Sequence, residues 1–175
     1  MKCLHELQGI IQADAHPLFD KKGMYRRDIH SDLKEVHYIS RIIVRKAPSG
    51  IHETDLLEKR ISEILKNAVG PGNGNDPNKK VKIWYAFDEK TARLIVEDEG
   101  EGFREVEHWN QFYRKRIEAF ESQDLKEMMK HLSYRSRVNA EDDFGNALLD
   151  AVDFWNGGIV FNQRGNAVAV KRVYE

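Results

Sequence analysis

Cysteine is nearly absent from this chain. Cys3 is the only one in 175 residues, so no intrachain disulfide can staple the fold. That usage fits a reducing compartment, and a cytoplasmic protein is expected. Long apolar runs are missing too. No stretch approaches the roughly 20 consecutive apolar residues that a membrane-spanning helix needs, so no membrane partner is expected. The opening MKCLHELQGIIQADAH carries charges and lacks the continuous apolar core of a secretory signal. No charge sign is in excess: 28 Lys and Arg stand against 29 Asp and Glu. That balance lacks the basic surplus of a general nucleic-acid binder, so no direct nucleic-acid partner is expected. There is no glycine-rich phosphate loop ending in Gly-Lys-Ser or Gly-Lys-Thr, and no His-Glu-x-x-His. The seven histidines are scattered. Neither a P-loop nor a zinc centre is expected.

What remains is an ordinary soluble composition, and the length suits one domain with its own core. Residues 1–23 show no clear period and read as an N-terminal extension; residues 24–175 read as the domain. MYRRDIHS suggests a short strand, with Ser31 as N-cap of the helix that follows. Leu33, Val36, Ile39 and Ile43 recur at helical spacing over 32–45. A second helix spans 54–69, with Leu57, Ile61, Ile64 and Ala68 as its buried face, and a Gly/Pro/Asn run ends it. VKIWYAF (81–87) and ARLIVED (92–98) read as a hairpin. Residues 104–143 are highly charged and helical in pattern, with a break near Ser122–Asp124. A helix over 145–155 and a second hairpin around RGN complete the chain. Four or five strands with several helices predict an α/β (α+β) two-layer sandwich, the helices covering one face of a mixed sheet.

Three groups of residues carry chemistry. Glu63 and Asn67, four apart, project side by side from one helix. A carboxylate serves as a general base, and a carboxamide oxygen is a hard ligand suited to Mg²⁺; a solvated helix face is the plain alternative. Asp98-Glu99-Gly100-Glu101-Gly102 follows an apolar strand. There Asp98 can accept a hydrogen bond from an exocyclic amine, and glycines let backbone approach a flat ring; a simple turn is the alternative. Gly145 opens the last helix, whose free N–H groups suit phosphate.

In this order the three groups resemble the boxes of the histidine-kinase-like (GHKL) ATPase superfamily. EILKNAV is similar to its N-box, VEDEGEGF to its first glycine box and FGNALL to a worn second one. Within the superfamily the chain most resembles the small anti-sigma-factor serine kinases. The resemblance implies a Bergerat ATP-binding fold, ATP and Mg²⁺ as cofactors, and phosphorylation of a small antagonist protein. It implies Glu63 as general base, Asn67 as Mg²⁺ ligand and Asp98 as adenine reader. Gly100 and Gly102 would shape the nucleotide floor, and Gly145, Asn146 and Ala147 would meet phosphate. It further implies a sigma factor and an anti-anti-sigma-like protein as partners, a homodimer, and a long lid at about 104–143. The chain departs from the pattern at Ala147, where a second glycine is usual, and at Pro71, where a histidine is common. Those departures keep a second reading open, a nucleotide-binding regulatory module without turnover.

Overall fold

The computed structural model describes residues 9–134 and 144–175. Its elements are β1 (Ile11–Gln12), β2 (Tyr25–His30), α1 (Leu33–Val44), α2 (Thr54–Asn67), β3 (Lys80–Phe87), β4 (Thr91–Glu97), α3 (Val106–Ser122), α4 (Leu125–Lys130), α5 (Phe144–Phe154), β5 (Ile159–Phe161) and β6 (Ala167–Val173). The strands form one six-stranded sheet in the order β1-β5-β6-β4-β3-β2. β1 pairs with β5 in parallel and every other pairing is antiparallel. The chain is thus an α+β fold built on a mixed sheet. The sixth strand beyond the expected count is β1; two residues are too few to show alternation.

The period of two along each strand sorts the side chains. Val81, Ile83 and Tyr85 of β3, with Ala92, Leu94 and Val96 of β4, enter the main core. Against them pack Val36, Ile39 and Ile43 of α1, Leu57, Ile61 and Leu65 of α2, and Leu148 and Phe154 of α5. The intervening residues Trp84, Ile95 and Ala169 point to the opposite face, where Leu18, Phe19 and Met24 cover them. Residues 9–24 therefore supply an edge strand and the back cover of the sheet. Asp32, not Ser31, caps α1, accepting from the Lys34 N–H. Ser31 is buried and donates instead to the Lys79 carbonyl.

α2 ends for an identifiable reason. Pro71 has no N–H to return to the Asn67 carbonyl, and its ring would crowd that oxygen. The chain widens there into a π turn over Ala68–Gly72, closed by the Asn73 N–H on the Ala68 carbonyl at 2.8 Å. Leu65 takes the core position expected of Ile64, which is only half-buried and turns towards the cavity described below.

The charged segment after β4 is anchored. Val106, Trp109 and Tyr113 of α3 are buried, Trp109 completely. The Asn110 carboxamide grips Ile10 at both backbone groups, accepting its N–H at 2.9 Å and donating to its carbonyl at 2.7 Å. The expected break falls at Gln123, in the left-handed region at φ 55°, and Asp124 then caps α4.

Candidate functional site

A cavity of about 1460 Å³ opens between α2, the end of β4 and α5. Glu63, Asn67, Asp98, Gly102 and Ala147 all line it, although they span 84 positions of sequence. Each is delivered by a structural device. Glu63 and Asn67 share one helical face, and the π turn after Asn67 swings Gly72 against the end of β4. A Cβ on Gly72 would lie 2.6 Å from the Asp98 Oδ2. Gly72 thus lets loop backbone rest directly on the Asp98 carboxylate.

Asp98 is held on both sides. Its Oδ1 accepts the Gly100 N–H at 2.7 Å. Its backbone N–H donates to the Asn166 carbonyl at 2.9 Å, and its carbonyl accepts from the Asn166 side chain at 2.8 Å. Burial pushes the carboxyl above the usual carboxylate range, and the Gly100 N–H and the Arg164 charge offset part of the rise. Oδ2 forms no hydrogen bond among the described residues and lies against the Gly72 backbone.

The two glycines of this loop fit other backbone. A Cβ on Gly100 would overlap the Gly72 carbonyl oxygen, so Gly100 stands behind the cavity wall and does not line it. Gly102, at φ 91°, faces the Arg164 carbonyl just as closely. Glycine at both positions seats the π turn and the β5–β6 turn on the Asp98 loop. Part of the space assigned to a flat ring is therefore filled by the protein's own chain.

Asn67 is half-buried, and its carboxamide makes no hydrogen bond among the described residues. No group of three or more His, Cys, Asp or Glu side chains gathers to hold a metal among those residues. A lone carboxamide fits Mg²⁺ that arrives already coordinated by phosphates and water, which is how that ion usually binds. Glu63 accepts a 2.9 Å hydrogen bond from Arg60 and keeps 30% of its side-chain surface exposed. Gly145 and Asn146 stand in the first turn of α5. The segment that leads into that turn, with the acidic run at 141–143, lies outside the described residues. Ala147 puts its methyl group on the cavity wall, half-buried.

The sequence reading missed three contributors. Arg60 lies one turn before Glu63, and the i, i+3 spacing was its only signal. Asn73, buried to 1%, donates to Ser31 Oγ at 2.8 Å and to the Lys80 carbonyl at 3.0 Å, and accepts the Glu99 N–H at 2.7 Å. It ties the π turn to β3 and to the Asp98 loop, and a loop asparagine gives no hint of that. The Arg164–Asn166 turn appeared only as a hairpin tip. No family model matches this chain, and no curated protein matches it.

Proposed function

We infer that this protein binds ATP with Mg²⁺ in the α2–β4–α5 cavity as a Bergerat-type nucleotide domain, and that it is a regulatory serine kinase of the anti-sigma-factor type. One observation carries the reading: Glu63, Asn67, Asp98, Gly102 and Ala147, distant in sequence, line a single cavity. In this reading the Asp98 Oδ2 accepts from the adenine amino group. Val96, Phe103 and Phe161 supply apolar wall for the ring. In this reading the base sits at Asp98 and the phosphates run towards the α2 face that carries Asn67 and Glu63.

Mg²⁺ supplies charge neutralisation for the phosphoryl group, and this cavity needs it. Four carboxylates, Glu63, Asp98, Glu101 and Glu105, line it against two cations, Arg60 and Lys66, among the described residues. Such a lining repels a bare polyphosphate. Asn67 would hold the ion, and Glu63 would take the proton of an attacking serine hydroxyl. A homodimer engaging a sigma factor and a small antagonist belongs to the same proposal. The Ala147 methyl on the cavity wall favours a second reading, a nucleotide-dependent binding module without transfer.

Calorimetry with ATP, with and without Mg²⁺, tests the shared part of both readings: saturable heat that depends on Mg²⁺ is expected. A phosphate-release assay then separates them, since sustained release supports the kinase and its absence with intact binding supports the module. No heat with either would withdraw the nucleotide assignment.

A further inference from the structure

The proposed function leaves an electrostatic problem. It places an ionised carboxylate, Glu63, beside the terminal phosphate of a polyanion, and like charges at close range repel strongly where water is scarce. Arg60 addresses this. Its Nη1 lies 2.9 Å from the Glu63 Oε2 and 3.6 Å from an Asp150 carboxylate oxygen on α5. The Arg60 side chain is only 13% exposed, against 30% for Glu63 and 71% for Asp150. The contact with Glu63 is therefore the sheltered one, and that with Asp150 is open to solvent screening. Asp153, further along α5, lies within electrostatic reach of the same guanidinium. Arg60 and Glu63 both line the cavity. Helix geometry orders the α2 face as Arg60, Glu63, Asn67, so Arg60 lies beyond Glu63 as seen from the Asn67 end.

We propose that Arg60 is the counter-charge and positioning residue of Glu63: it screens bound phosphates from that carboxylate and fixes its rotamer, without touching the nucleotide. The inference rests on the nucleotide reading of the cavity. Its consequence is specific to the terminal phosphates, because only they approach Glu63.

The test is a double-substitution cycle read by nucleotide affinity, which does not require turnover. Binding of ATP and of AMP is measured for wild type, R60M, E63Q and R60M/E63Q, all in the same excess of Mg²⁺ and at one ionic strength. R60M is expected to weaken ATP about tenfold by leaving an uncompensated carboxylate, and to shift AMP less than about twofold. R60M/E63Q is expected to return ATP to within about twofold of wild type, because both charges are gone. R60K keeps the charge and is expected to stay near wild type. R60Q, which keeps donors without charge, should follow R60M and supplies the comparison if R60M does not fold. A double variant as weak as R60M would mean that Arg60 binds phosphate itself, and would overturn the inference. So would ATP and AMP weakening equally, which marks a packing defect, or no loss in R60M and R60Q. Wild type that binds neither nucleotide would bring down the nucleotide reading and this inference together; the other adverse results overturn this inference alone.

Discussion

Asp98 carries the clearest consequence of burial at a single residue. Its folded-state pKa lies above that of an exposed carboxylate, so the native state holds the proton more tightly than the unfolded chain does. Stability contributed by this group therefore falls as pH rises through the window between the unfolded and folded values, and ionised Asp98 is a standing cost at neutral pH. Asp98→Asn should raise Tm by a few degrees at pH 7, with the gain vanishing at acid pH, where both side chains are neutral. Thermal melts across pH check this; a gain that persists at acid pH would point to a cause other than charge. For ligand, the sign reverses. An ionised carboxylate accepts from an amine more strongly than a protonated one, so ATP affinity should weaken as pH falls, earlier than an ordinary carboxylate would cause. GTP, with a keto oxygen in place of the amine, should bind poorly. Equal affinity for ATP and GTP would reduce Asp98 to a turn residue. Asn67→Ala should weaken ATP in Mg²⁺ far more than in EDTA, since the carboxamide is assigned to the ion; titrations in both buffers give the answer. Glu63→Gln should keep ATP binding and lower phosphoryl transfer by roughly 10²-fold, and undiminished transfer would remove Glu63 as the base.

Among the elements, α3 bears most directly on the lid expected over 104–143. Trp109 is fully buried and Asn110 holds the Ile10 backbone. Amides 106–120 should therefore exchange slowly without nucleotide, and ATP should add little protection there; a large ATP-dependent slowing would make α3 a moving gate. Trp109→Ala should destabilise the fold by about 3–5 kcal/mol, measurable by denaturant unfolding. The helices and the two hairpins were legible because 3.6- and 2-residue periods run through them. Glu63 and Asn67 were legible as two residues of one helix, and Asp98 as the end of an apolar strand. What escaped the sequence was the tertiary carpentry. Nothing in GPGN shows that Asn73 would be buried with three hydrogen bonds, nor that Gly72 and Gly100 would meet backbone to backbone. The burial of Trp109 was hidden for a related reason: helical aromatics amid charges suit a core-facing stripe and a partner-facing stripe equally well.

At the scale of the molecule, the cavity has no local existence. Its wall draws on α2, the end of β4, α5 and β6, which meet only in the assembled sheet. A ligand there should stabilise the whole fold, with Tm rising as ATP concentration rises and about 2.7 kcal/mol gained at a hundredfold excess over Kd. Scanning calorimetry at graded ATP reads this directly, and a flat Tm would contradict a site made by global folding. The strand order has another consequence, in the timing of synthesis. β2, β3 and β4 follow one another and can pair as soon as they are made. β6, the last of these six strands in chain order, belongs between β4 and β5, well inside the sheet. Until it arrives, β4 presents an unpaired edge carrying Leu94, Ile95 and Val96, and β1 waits some 150 residues for its neighbour β5. A nascent chain stalled near residue 160 therefore holds half a sheet with an adhesive border, the stage at which it is most open to wrong pairing.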